Sequence, residues 1–381
     1  MESQDANEAA STLALADANN YLGLNLYKVL SKGEGNIFFS PFSLSCALAM
    51  LFCGTREETA KEMRTVLGYE IAQIKDEDIK SYFQELLHEI EKNPDSYTLT
   101  SANSLLCQKG FLLKEEYKSV LSGFFKALFQ EADIARENEK AIQVINEWVS
   151  EKTHNMIPKL LDVLDPEAVL VFFNAVYFKG FWKYPFDKEM TRLRNFYIKG
   201  QKDNFKSVPM MYINKSFSYV CKESFGALEL PYIGDDVSML ILLPDSENGL
   251  RDLENSLNYD FIQDLKQDMM ETRVDVTLPK FRLEFSKSLK ESFQCLGLEK
   301  VFTTGAQFGG ISDTENLLVS EIFHKAIIEV NEEGTEASAA TQIEAVPMCM
   351  NPDFIVDHPF MFVIYNTQNN LILFMGRIEE L

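Results

Sequence analysis

From Thr335 to Ala345 the chain alternates with a period of two, and the face it would bury is made mostly of small side chains. Thr335, Ala337, Ala339, Thr341, Ile343 and Ala345 fall on one side; Glu336, Ser338, Gln342 and Glu344 fall on the other. Alternation over that length is the pattern of a half-buried strand. Small side chains bury little apolar area, however, and would hold such a strand weakly on their own. Gly334 precedes the run as a backbone pivot. Two readings fit: a small-residue surface loop, or a segment that slides between two strands without displacing bulky neighbours.

The rest of the chain supplies strands for the second reading. Residues 168–178 are long, β-branched and aromatic, and predict a central sheet strand. Val237 to Leu243 and Val274 to Leu278, closed by Pro244 and Pro279, predict further strands. Ile322 to Val330 predicts a strand that leads directly into the alternating run. Helices are interspersed. Leu15, Leu22, Leu26 and Val29 recur at helical spacing, with Gly33 as the stop. Ser40 is placed to cap a helix whose first turn holds Pro41, and residues 44–53 are apolar nearly all round, so that helix belongs in the core. Gly54 stops it, and Thr55 to Glu58 read as a capping box for the next. Ile79, Phe83, Leu86, Leu87 and Ile90 mark one more helix, closed by Asn93-Pro94. The mixture is α+β.

Length alone, 381 residues, would suggest two domains, but no Pro/Gly/Ser-rich linker or fixed repeat divides the chain. The net charge of −22, from 36 basic and 58 acidic residues, argues against nucleic acid and anionic membranes as partners. Six scattered cysteines in a chain this long are read as free thiols. With no basic and apolar leader at the start, the expected location is cytoplasmic; the alternative is extracellular, if a signal peptide was removed. Enzyme motifs are missing: there is no Gly-x-Ser-x-Gly, no His-Glu-x-x-His and no phosphate-binding glycine loop. His88, His154, His324 and His358 fall in unrelated segments, and no Cys/His spacing suits a metal. The expectation is therefore no enzyme, no cofactor and no metal.

Residues 332–341, Glu332-Glu-Gly-Thr-Glu-Ala-Ser-Ala-Ala340-Thr341, resemble the hinge of an inhibitory serpin. Glu344, Ala345, Val346, Pro347, Met348 and Cys349 are similar to the bait segment of antitrypsin-like serpins, with Met348 just before the bond to be cut. Met348 lies thirteen residues after Thr335, the spacing of the family pattern. Residues 36–43, 179–182, 358–364 and 372–377 are similar to other serpin segments in the same order, so the resemblance covers essentially the whole chain. It implies one serpin domain over 1–381 with hinge and reactive loop at 331–352. The implied fold is α+β, several helices around a large central mixed β-sheet, with further sheets and an exposed reactive loop.

The resemblance further implies a suicide-substrate inhibitor that traps its protease as a covalent acyl-enzyme after cleavage between Met348 and Cys349. The cut loop would insert antiparallel to the 322–330 strand, in a gap between it and the 168–178 strand; such insertion is a known serpin mode of strand addition. Ser40, Ser43, Asn174 and His324 resemble the polar cluster beneath the sheet where it parts, and Trp182 the place where insertion begins. A methionine at the cut suits elastase-like or chymotrypsin-like pockets. Methylene-sized differences are worth only ~1–3 kcal/mol, so both classes stay open. Pro347 restrains the approach to the bond. The expected partner is a target serine protease, bound by a monomer. Heparin is not expected, because residues 75–93, comparable to the heparin-binding helix of some serpins, are predominantly acidic. The alternatives are a non-inhibitory serpin (storage, carrier or chaperone) and a cross-class inhibitor of papain-like cysteine proteases. The first expects bulky or charged inward residues in the hinge, and 335–341 has none.

Overall fold

The computed structural model describes residues 2–90, 97–258, 260–314, 316–333 and 351–381. Its first helix, Glu2–Leu30, begins well before the apolar periodicity that predicts it and buries Leu15, Leu22, Leu26 and Tyr27. The helix Pro41–Gly54 starts as its sequence dictates: the Ser40 side chain accepts from the Ser43 amide at 3.0 Å, and Pro41 occupies the first turn. It is buried nearly all round. Its last residue, Gly54, leaves room for a neighbour, since a Cβ there would lie 2.1 Å from Ile311 Cγ1. The capping box predicted at Thr55 does not form. The Thr55 hydroxyl turns back to the Phe52 carbonyl at 2.8 Å, while the Gln307 side chain accepts from the amides of Glu58 and Thr59 at 2.8 and 3.2 Å. A distant glutamine thus caps the helix Glu57–Val66, a tertiary contact that no local pattern encodes.

Five strands form one sheet in the order Phe281–Ser288, Val319–Val330, Leu170–Gly180, Tyr97–Gln108 and Leu128–Ala132. The predicted strand at 168–178 lies two residues further on, because Ala168 closes a turn onto the Asp165 carbonyl at 3.0 Å. Both faces of Leu170–Gly180 are covered. Leu170, Phe172, Val176 and Phe178 join the main core; Val171, Phe173, Ala175 and Tyr177 meet Ala141, Ile145 and Val149 of the helix Asn138–Lys152. A strand buried on both sides needs the continuous apolar run that the sequence shows there. Leu170–Gly180 is antiparallel to Tyr97–Gln108 but parallel to Val319–Val330, in unbroken register from Glu321 opposite Val171 to Glu329 opposite Lys179 after an irregularity between Val319 and Glu321. The two strands expected to flank a gap are therefore paired directly along a closed seam.

The second sheet runs Ile37–Phe39, Ile372–Ile378, Phe360–Asn366, Val237–Pro244, Phe225–Pro231, Phe205–Cys221, Met270–Pro279 and Asp353–Ile355, with Arg192–Tyr197 also on Phe205–Cys221. Its core is continuous with the one beneath the first sheet. Arg377 is fully buried within it. The guanidinium donates to the carbonyls of Gly33, Gly35 and Ser31 at 2.7, 3.0 and 3.2 Å and pairs with Glu254 and Glu379, each at 3.2 Å. Tyr27 donates to the same Glu254 at 2.6 Å, so the end of the first helix is tied to a strand some 350 residues on.

Removing one partner of such a network leaves buried charge without compensation. Arg377→Leu is expected to cost about 3–5 kcal/mol, read as a fall in the urea midpoint at unchanged slope. Arg377→Lys should cost less, because it keeps the charge and loses only the fork. A Leu variant as stable as the parent would mean that Glu254 and Glu379 find other partners.

Candidate functional site

A buried polar node lies under the seam. Asn174 and His324 stand opposite each other in the parallel register, both fully buried. His324 Nδ1 is 2.6 Å from Asn174 Oδ1, and its Nε2 faces the Ser40 backbone amide at 3.2 Å. An amide N–H only donates, so Nε2 accepts and the ring proton sits on Nδ1, aimed at Asn174. Burial drives the imidazole down to about 3, so it is neutral. The Asn174 amide donates to the Ser43 carbonyl at 3.2 Å, to the Ser43 hydroxyl and to Asn103 Oδ1. Ser43 Oγ also meets Ser101 Oγ at 3.0 Å, and the Ser40 hydroxyl donates to the Leu373 carbonyl at 2.7 Å. The node joins the start of one helix, three strands of the first sheet and one of the second.

Trp182 belongs to a different set of contacts, at the exit of Val319–Val330. Its indole N–H donates to the Asn331 carbonyl at 2.8 Å, its amide donates to the Glu333 carbonyl at 3.1 Å, and its ring stacks on Tyr232 at 4.5 Å. Gly180 permits that stack, since a Cβ there would lie 2.1 Å from the Tyr232 ring. Glu332 is buried and accepts from Thr191 at 3.0 Å and Lys280 at 2.9 Å. Burial pushes its carboxyl up, but these bonds outweigh it and hold the group below the usual carboxylate range. Glu333 is likewise held low, chiefly by Lys179 at 2.6 Å.

Asp275 gathers the opposite root. Its carboxylate accepts from Tyr212, from Asn214 Nδ2 at 2.9 Å and from Asn351 Nδ2 at 3.2 Å, while its amide donates to the Pro352 carbonyl at 3.0 Å. Burial raises Asp275, yet these donors bring it below its ordinary value. Asn214 begins a glycosylation triplet, but the nitrogen that a glycan would take is already donating here. Among the described residues no group of three His, Cys, Asp or Glu side chains could hold a metal ion. The five described cysteines are free.

Ser40, Ser43, Asn174 and His324 therefore come together, while Trp182 bonds the carbonyls of Asn331 and Glu333, on either side of Glu332, just past the end of the same strand. Gly334 to Thr341, Glu344 to Pro347, Met348 and Cys349 lie outside the described residues. Sequence reading missed Ser101, Asn103, Thr191, Lys280 and Asp275. Asn103 had a faint signal, a polar residue heading an apolar run; the others had none.

Compared with known proteins, residues 17–381 match the family Serpin (serine protease inhibitor). The chain is 41% identical to a leukocyte elastase inhibitor from Sus scrofa over 380 residues, covering 96% of this chain and 99% of that protein. It is 40% identical to intracellular coagulation inhibitor 1 from Tachypleus tridentatus over 375 residues, covering 96% and 89% respectively. Among solved structures, the mouse protein-Z dependent protease inhibitor superposes with a TM-score of 0.91 at 28% identity, covering 98% of this chain and 99% of that one.

The node and the roots lose stability in different pH windows. His324 has a folded value of about 3 against an ordinary 6.5, so its contribution is complete above pH 6.5 and declines as pH falls below it. The depressed carboxylates Glu332, Glu333 and Asp275 contribute fully above about pH 4–4.5 and lose that contribution only under stronger acid. In an NMR titration the His324 ring is expected to stay neutral from pH 8 to 5, whereas protection of the Trp182 amide, relative to its intrinsic exchange rate, should fall only below about pH 4. A His324 signal that titrates near 6.5 would contradict the buried tautomer.

Proposed function

The chain belongs to the serpin family, and from that premise we propose that it is an inhibitory member, a suicide substrate cut between Met348 and Cys349. The observation that carries this reading is the seam. Two central strands run parallel and pair with each other, and the segment leaving one of them returns through 334–350. A strand inserted between them would be antiparallel to both. Insertion exchanges one parallel ladder for two antiparallel ones, a net gain of backbone bonds of the slightly stronger kind. The small inward face from Thr335 to Ala345 suits that passage. The contact between His324 Nδ1 and Asn174 crosses the seam, so it must break and be replaced as the strands part.

The chemistry begins as proteolysis. The protease serine attacks the Met348 carbonyl, the bond to Cys349 breaks, and the Cys349 amine leaves with a proton. The resulting ester would ordinarily be hydrolysed. Insertion drags the tethered protease away and distorts its active site, where a displacement of about an ångström is costly, so deacylation stalls. The native fold is then a kinetic trap that loop insertion releases.

Met348 favours elastase-like or chymotrypsin-like targets, a reading supported by the Sus scrofa relative, a leukocyte elastase inhibitor. The five described cysteines, all free, support a reducing compartment, as does the word intracellular in the name of the Tachypleus tridentatus relative. No helix among the described residues is long and apolar enough to cross a membrane.

Mixing the protein with such proteases is expected to give a heat- and SDS-stable adduct and a released peptide beginning at Cys349; cleavage with no adduct from any of them would sink the reading. Thr335→Arg places a guanidinium on the inserting face, at a burial cost on the order of several kcal/mol. It should convert the protein into a substrate, with the fraction of protease trapped per inhibitor consumed falling sharply, while Glu336→Arg, facing outward, traps nearly as the parent does.

A further inference from the structure

Asn248-Gly249 is the only Asn-Gly pair in the chain. It lies in a turn between the strand Val237–Pro244 and a short helix, Leu250–Ser256. Asparagine is among the thermolabile side chains, and a following glycine, with no Cβ, hinders its cyclisation least. Asn248 is exposed to water. The Ser246 hydroxyl donates to Asn248 Oδ1 at 2.6 Å, while the Gly249 amide donates to the Ser246 carbonyl at 2.8 Å. The side-chain amide thus already carries a donor on its oxygen, and the nitrogen that closes a ring on its carbon is the next in the chain.

We propose that Asn248 is a site of spontaneous deamidation, assisted by the Ser246 hydroxyl, and that its isoaspartyl product unseats the helix Leu250–Ser256. The Gly249 amide leaves the Ser246 carbonyl, loses its proton to hydroxide and attacks Asn248 Cγ. A C–N bond forms, the Cγ–Nδ2 bond breaks, and ammonia departs, leaving a cyclic imide. Water opens the imide at either carbonyl to give aspartate or isoaspartate; nothing is oxidised or reduced. Negative charge develops on Oδ1 during the attack, where the Ser246 donor stands. The two products act differently on their surroundings. Aspartate keeps the backbone and adds one exposed charge beside Glu247. Isoaspartate routes the main chain through the side chain and lengthens it by a methylene. The neighbouring backbone leaves little slack for that: a Cβ on Gly200 would lie 2.1 Å from the Glu247 carbonyl oxygen and 2.9 Å from the Asn248 nitrogen. Just downstream, the helix is held by buried Leu250 and Leu253 and by Glu254, which pairs with Arg377 at 3.2 Å. A longer chain at 248 displaces the start of that helix, so the strain registers at the Arg377 network.

The test holds the folded parent and Ser246→Ala at mildly alkaline pH and samples them over days by peptide mapping and isoaspartyl methyltransferase labelling. Conversion in the parent should concentrate at Asn248, ahead of Asn103 and Asn255, each of which is followed by serine. Ser246→Ala should convert severalfold more slowly. The isoaspartyl form, separated by ion exchange, should melt several degrees below the parent. Freshly purified Asn248→Asp, with the same added charge and an unaltered backbone, should melt with the parent. A folded parent that keeps Asn248 intact while the urea-unfolded chain converts it overturns the site. Conversion of Ser246→Ala as fast as the parent overturns the part given to the hydroxyl. An isoaspartyl form as stable as Asn248→Asp overturns the effect on the helix.

Discussion

An asparagine in the middle of an otherwise apolar strand dictates much of this architecture. Asn174 carries an amide donor and acceptor into a region with no water, where each group left without a partner costs about 1–3 kcal/mol. The ladder of the sheet satisfies only backbone groups. The side chain therefore requires Asn103 on one neighbouring strand, His324 on the other and Ser43 from a helix beneath. A one-residue slip of either strand would turn these partners to the opposite face, so the node fixes the register of the seam. It also fixes the start of the buried helix, because Ser40 serves both as helix cap and as a contact to His324 and Leu373.

Local physics made parts of this legible in the sequence. Ser40-Pro41 announces a helix start whatever surrounds it, and a run such as 170–178 is too apolar and β-branched for anything but a buried strand. Contacts that depend on topology were not legible. Gln307 caps a helix about 250 residues earlier, and nothing near Thr55 reveals it. Phe205–Cys221 was missed because it changes partners along its length, pairing in turn with Arg192–Tyr197, Met270–Pro279 and Phe225–Pro231, so no single face stays buried. Asp275, Thr191 and Lys280 are isolated polar residues that acquire meaning only when the two roots are brought beside them. The four residues of the node were grouped by family resemblance rather than by periodicity, and the structure adds Asn103 and Ser101.

The acidic balance of the chain is also unevenly used. At both roots carboxylates act as buried or half-buried acceptors that fasten backbone: Glu332 and Glu333 on one side, Asp275 on the other. Most remaining ion pairs are exposed, where each is worth at most ~1 kcal/mol. Buried or half-buried polar contacts thus gather on both sides of 334–350, in addition to the Arg377 network and the His324 node.

The pairing of Ile37–Phe39 with Ile372–Ile378, reinforced by Arg377, has a consequence for biosynthesis. The two strands are separated by 333 residues, so a ribosome adding ~5–20 residues per second delivers the second roughly 20–70 s after the first. During that interval Phe38, Phe39 and the apolar helix that follows have no finished sheet to cover them. Phe360–Asn366, which sits between Ile372–Ile378 and Val237–Pro244, arrives equally late. The nascent chain therefore carries uncovered apolar surface until translation is nearly complete, and a chain stopped before residue 360 lacks two strands of the second sheet.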